Sequence, residues 1–156
     1  GKEDAMSADG TFDPVRKSIE VEVGPAEAFR LFSEEFESWW PLATHSVGGA
    51  EAASCYFEDR DGGRIFETTS DGTTHLWGMV TAWEPSARTV FVWHPGRDAA
   101  TAQEVELRFI GISTGTRIEL EHRGWEVLGD RAEEMRSGYV TGWDPVLESF
   151  VARCGA

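Results

Sequence analysis

Residues 63–95 read GRIFETTSDGTTHLWGMVTAWEPSARTVFVWHP, and this stretch decides the fold class. Asp71-Gly72 suits the positive φ of a tight hairpin, and Glu84-Pro85-Ser86-Ala87 makes a looser connection. The residues between these turns are rich in Ile, Val, Thr, Phe and Trp, side chains that fit a pleated, half-buried surface. The stretch therefore reads as three antiparallel strands. It also holds Trp77, Trp83, Trp93, His75 and His94. Adding Trp39, Trp40, Trp125 and Trp143 gives seven tryptophans in 156 residues, more than a small core needs. An indole is large and carries an N–H that wants a partner, so it suits the wall of a partly polar cavity.

Working outward, Val15, Lys17, Ile19, Val21 and Val23 alternate with Arg16, Ser18, Glu20 and Glu22, the pattern of a half-buried strand. Gly24-Pro25 ends it, and proline at the first helical position opens a helical segment. There Phe29, Phe32, Phe36 and Trp39 recur at helical spacing until Trp40-Pro41 stops it. Asp61-Gly62-Gly63 is another hairpin turn. Beyond residue 95, Val105, Leu107 and Phe109 point inward, and Ile118, Leu120 and His122 answer them after a turn at Gly115. From Asp130 to Cys154, Met135, Tyr139, Val140, Trp143, Leu147, Phe150, Val151 and Cys154 form one helical stripe. Gly142 and Pro145 predict a kink in it, with Asp144 placed to cap the restart. The order is one strand, two short helices, about six further strands and a long helix, an α+β arrangement.

Fourteen basic residues against 28 acidic ones give a net charge of −14, and Arg16-Lys17 is the only adjacent basic pair. That field repels phosphate backbones and anionic headgroups, which argues against nucleic acid as a partner. No apolar run approaches the ~18 residues of a membrane span, so no membrane insertion is expected. Residues 1–5 read as an appended remnant, with Met6 the natural start and 1–14 a disordered lead into a single domain, 15–154. No apolar leader precedes Met6. Cys55 and Cys154 form no C-x-x-C and lie at no metal-ligand spacing from a histidine, which fits a reducing cytoplasm. No metal or cofactor is expected.

F-x-x-x-F-x-x-WWP (Phe32 to Pro41), T-H-S (Thr44 to Ser46) and E-x-R-x-GGR-x-x-E (Glu58 to Glu67) stand in this chain beside WG-x-V-x-x-WEP (Trp77 to Pro85) and V-W-H-P (Val92 to Pro95). GTRIELEHRGWE (Gly115 to Glu126) and Y-x-x-GW-x-x-VLESF (Tyr139 to Phe150) follow. With these residues in this order, the chain resembles the bacterial homologues of the heat-shock protein 90 ATPase activator, within the START-like (SRPBCC) superfamily. The resemblance covers residues 15–152. It implies a helix-grip fold, a curved antiparallel sheet of about six to seven strands wrapped around the long C-terminal helix, with a cavity between them. Superfamily members bind lipids, hormones or polyketides there, and some are cyclases or dehydratases. The separate N-terminal co-chaperone domain of the eukaryotic activator has no counterpart in this sequence, so a chaperone partner is not expected.

For chemistry, His122 shares a face with inward residues and is the first candidate for orienting a polar group or moving a proton. Glu67 is a second, its face ambiguous because Phe66 and Ile65 compete for the core. An inward Glu67 needs a partner such as Arg60, Arg64 or a histidine. His45, in a loop capping one end of the cavity, is a third. His75 and His94 read as rim residues. Gly111-Ile112-Ser113-Thr114-Gly115 matches the G-x-S-x-G of serine hydrolases, but it joins two antiparallel strands with no helix after it, so it is a hairpin turn. Glu119 and Glu121 face outward. The residues expected to line the cavity are Trp40, Phe66, Trp77, Met79, Trp93, His122, Tyr139 and Trp143. Such a lining suits a small hydrophobic or amphipathic, planar molecule. A non-enzymatic binding domain is the leading reading. An enzyme using a cavity histidine on a polyketide-like or aromatic substrate, and a chaperone-interacting module, are the alternatives. The first strand could sit at a sheet edge, which leaves a homodimer open.

Overall fold

The computed structural model describes residues 12–156. The expected start at Met6, the remnant 1–5 and most of the disordered lead fall outside the described residues. Phe12 already packs on the core, and Arg136 Nε donates to the carbonyl of Asp13 at 2.6 Å.

Strand β1 (Val15–Val21) leads through Gly24 into α1 (Pro25–Glu34), with proline in its first turn, and then into the single turn α2 (Phe36–Trp39). Six strands follow: β2 (Ala52–Phe57), β3 (Arg64–Thr69), β4 (Thr74–Glu84), β5 (Arg88–Trp93), β6 (Gln103–Ile112) and β7 (Gly115–Arg123). A 3-10 segment, Trp125–Arg131, delivers the chain to α3 (Ala132–Cys154). All seven strands form one sheet in the order β1-β7-β6-β5-β4-β3-β2, antiparallel throughout. Sequential hairpins explain that order, and β1 alone crosses over to pair with β7, Val15 opposite His122. This is the α+β helix-grip fold. The hairpin reading of residues 111–115 holds, since β6 ends at Ile112 and β7 begins at Gly115.

Register breaks at Ala52/Ser54, Ile65/Phe66 and Val80/Ala82 interrupt the ladders. Each extra residue bends its strand and resets which side chains face inward. The inner face is filled by rings. Phe32 sits within 6.1 Å of Phe36, Trp39, Phe57, Phe109 and Phe150, centroid to centroid. Where the sequence predicts an internal cavity between sheet and helix, the centre is a packed aromatic core. The space left among Phe32, Phe57, Phe91, Leu120 and their neighbours is about 20 Å³.

α3 runs unbroken past Pro145. Val146 takes the buried place expected for Val151, which is 38% exposed. Asp144 does not cap a restart; it pairs with Lys17 of β1 at 2.9 Å. No described helix is long and apolar enough to cross a membrane.

Candidate functional site

Trp40 precedes Pro41, which holds it extended (ψ 129°) and ends α2. The chain then turns over the ends of β3 and β4 as a loop, 41–51, that is pinned at three points. Trp40 Nε1 donates to the carbonyl of His45 at 2.7 Å. The Glu67 carboxylate accepts from the amides of Val47 at 2.6 Å and Gly48 at 3.0 Å. His45 Nε2 lies 3.1 Å from the carbonyl of Gly142 on α3. A carbonyl only accepts, so Nε2 carries a proton, while Nδ1 lies 2.8 Å from the Thr44 hydroxyl.

Between loop 41–51, the turn after β5 at Pro95-Gly96, and the N-terminal half of α3 lies a cleft of about 670 Å³. Its floor is a cluster of tryptophans: Trp40 and Trp77 lie 5.2 Å apart, and Trp93 stands 5.8 Å from each. Trp143 joins it 5.9 Å from Trp93. Tyr139, Met135 and Val146 complete the apolar wall, and Thr44, His45, Ser46 and Glu134 supply its polar side chains. Among the described residues no lysine or arginine lines it. On α3 the cleft face follows helical spacing through Met135, Gly138, Tyr139, Gly142, Trp143 and Val146. A Cβ at Gly138 or Gly142 would meet nothing within 4 Å, so these two glycines hold the cleft open.

The expected lining residues divide. Trp40, Trp77, Trp93, Tyr139 and Trp143 lie on the cleft. Phe66 and Met79 do not. Ile65 and Glu67 take the inward positions on β3, so Phe66 faces outward, stacked on Tyr56 at 4.9 Å with the Arg64 guanidinium above it. Met79, two residues from Trp77, would share its face in a regular strand. The bulge that inserts Trp77 between the pairs Phe66–Leu76 and Ile65–Gly78 shifts the phase, and Met79 is 44% exposed.

His122 does not reach the cleft either. It is fully buried behind Trp143 and Tyr139, with the Trp125 ring 4.2 Å from its own and tilted by 33°. The Trp143 indole donates to Nδ1 at 3.0 Å, and Nε2 faces Gln103 Oε1 at 3.3 Å. Burial, with the Arg97 charge adding to it, pushes its pKa down to about 3. Such an imidazole is a neutral structural group. Glu67 is inward and fully buried, and its third donor is the Trp77 indole at 2.7 Å. The predicted arginine or histidine partner is absent, because Arg60 and Arg64 both pair with Glu58. Glu67 thus ties the Trp77 indole to loop 41–51. His94, expected at the rim, is buried and donates through Nδ1 to the carbonyl of Arg97 at 3.1 Å. Of the acid–base candidates only His45 lines the cleft. Among the described residues no group of three or more His, Cys, Asp or Glu is placed to hold a metal ion.

The sequence reading missed Thr44, Ser46, Val47, Glu134 and Met135, together with Gly138 and Gly142. The signal was present for the last two. Glycines four apart inside a helix, each about 1 kcal/mol worse than alanine, mark a face where bulk is excluded.

No curated protein matches the sequence at a significant level. Among solved structures, an anthrahydroquino-gamma-pyrone synthase, Txn09, is 29% identical over 91% of this chain and 97% of its own, with a TM-score of 0.63. The self-sacrificing resistance protein CalC from Micromonospora echinospora is 22% identical over 91% and 94%, TM-score 0.64. A protein from Nitrosomonas europaea is 15% identical over 94% and 95%, TM-score 0.65. The model of the family described as Activator of Hsp90 ATPase homolog 1-like protein matches residues 22–155, nearly the whole helix-grip domain, and the chain belongs to that family.

Proposed function

We propose that this protein binds a small, flat, largely apolar molecule in the cleft between loop 41–51, the Trp77 and Trp93 strands and α3. The observation that carries this reading is the cleft of about 670 Å³, a volume typical of a small-molecule site, floored by tryptophans and kept open by Gly138 and Gly142. Planar rings on the floor favour a planar guest over a flexible acyl chain. Native mass spectrometry of the protein from its own host, followed by denaturation, reads any bound molecule directly. The Gly138→Leu variant fills the space, and binding should fall at least about tenfold while the helix persists. A ligand that co-purifies equally with both proteins would refute the cleft as its site.

A second reading, an enzyme resembling a cyclase or dehydratase, is favoured by two observations. His45 lines the cleft, and a solved structure at 29% identity is a synthase. His45 would then move the proton. His45→Asn, which keeps a polar group in the loop, should abolish turnover; unchanged turnover would eliminate this reading.

A further inference from the structure

Most polar side chains on the cleft wall are already engaged within the protein. The indoles of Trp40, Trp77 and Trp143 donate to the carbonyl of His45, to Glu67 and to His122. His45 is held at both ring nitrogens, by the carbonyl of Gly142 and by the Thr44 hydroxyl. Ser46 Oγ accepts from the amide of Gly49 at 3.0 Å, and Glu134 pairs with Arg131 at 3.8 Å. Trp93 Nε1 lacks an acceptor but is closed off from cleft and solvent alike, so no guest meets it. The Tyr139 hydroxyl differs from all of these. It bonds to no described residue, yet it is not closed off, and it belongs to a half-buried side chain that lines the cleft.

The ring that carries this hydroxyl is held in place. It packs edge-on against His122 with centroids 4.6 Å apart, and lies 5.6 Å from Trp125 and 6.0 Å from Trp143. Those neighbours are fixed in turn: His122 is bonded at both ring nitrogens, and the Trp125 indole donates to the carbonyl of His122. A phenol wedged against packed rings has few rotamers open to it, so its oxygen keeps one position. Gly142, one turn further along α3, adds no bulk beside it. In the empty protein, water satisfies the hydroxyl at little cost, and an acceptor on a guest takes the place of that water.

We propose that the Tyr139 hydroxyl donates the hydrogen bond that orients the guest, and that the guest is a planar aromatic compound bearing a carbonyl oxygen. This rests on the reading of the cleft as the ligand site, and it adds the substituent that is recognised and the residue that recognises it. The indole faces of the floor offer packing area to any flat ring and distinguish poorly between them. A preformed donor does distinguish. A carbonyl oxygen stripped of water in the cleft regains a partner at Tyr139, and a methylene in its place leaves the hydroxyl unpaired.

Fluorenone and fluorene, flat probes that differ only by a carbonyl in place of a methylene, test it by equilibrium dialysis against the parent protein and Tyr139→Phe. The variant keeps the ring and removes the oxygen alone. The parent should hold fluorenone about three- to tenfold tighter than fluorene. In Tyr139→Phe that preference should vanish through weaker fluorenone binding, with fluorene bound as before. Thermal melts should place the variant level with the parent, because the hydroxyl has no internal bond to lose. A variant that melts well below the parent, or fails to fold, shows the oxygen to be an internal structural group and overturns the inference. Equal binding of the two probes by the parent, or a preference that survives in Tyr139→Phe, also overturns it and leaves the cleft reading intact. If neither probe binds the parent, the cleft reading falls and takes this inference with it.

Discussion

The indole N–H of Trp143 donates to Nδ1 of His122 at 3.0 Å, and that single contact fixes the protonation of a fully buried histidine. An indole nitrogen only donates, so Nδ1 is bare and the proton sits on Nε2, facing Gln103 Oε1. Gln103 accepts a second bond there from Arg97 at 3.1 Å. The chain Arg97–Gln103–His122–Trp143 ties the turn after β5 to the wall of the cleft.

Stability should therefore depend on pH through His122. Its folded pKa of about 3 lies below the ordinary value of 6.5, so between those limits the unfolded chain binds a proton that the folded one refuses. The contribution is complete above pH 6.5 and is lost as pH falls toward 3, at up to about 1.4 kcal/mol per unit. Urea melts between pH 6.5 and 5.5 follow it apart from Glu58 and Glu106, whose unfolded carboxyls, at their ordinary 4.5, take up few protons there. His122→Gln should be less stable at neutral pH and should flatten the slope. A slope that survives the substitution contradicts the assignment.

Glu67→Gln tests the anchoring of loop 41–51. The carboxylate accepts three N–H donors, and a glutamine must turn an NH₂ toward at least one of them. A loss of about 2–3 kcal/mol is expected, with faster amide exchange at Val47 and Gly48. Exchange left at the level of the parent protein would show that Glu67 does not hold the loop.

Gly138→Ala and Gly142→Ala should each raise stability by about 0.5–1 kcal/mol, since a helical alanine meets nothing there. Thermal melts of the two variants measure this. Gly78→Ala should do the reverse and cost more than about 3 kcal/mol, because its Cβ would lie 1.9 Å from the carbonyl oxygen of Val92 on the paired strand.

Both cysteines should resist thiol reagents in the native protein. Burial raises the Cys55 thiol to about 12 and Cys154 to about 11, so almost no thiolate exists near pH 8. Disulfide-exchange titration should find both only after denaturation. Rapid reaction of Cys154 in the native state would mean that the last turn of α3 frays.

The sequence by itself determined the strand and helix order, the family and most of the aromatic wall. Alternation in residues 15–21 and 104–110, the 3.6-residue recurrence from Phe29 to Trp39, and turns such as Asp71-Gly72 are local properties that a linear string records. Trp77 and Trp93 were legible because strands dense in tryptophan seldom serve a core alone. What the tertiary structure decided is which face each residue takes after a bulge, and who satisfies each buried polar atom. The bulge at Trp77 sent Met79 outward, and Phe66 followed the outward pairing with Tyr56. Glu67 found amides 19 and 20 residues away, and His122 found Trp143, 21 away. The cleft lies at one end of the grip because Phe32 and its neighbours fill the middle. Parity across a bulge and the partner of a buried donor depend on contacts between residues distant in sequence, and no local period encodes them.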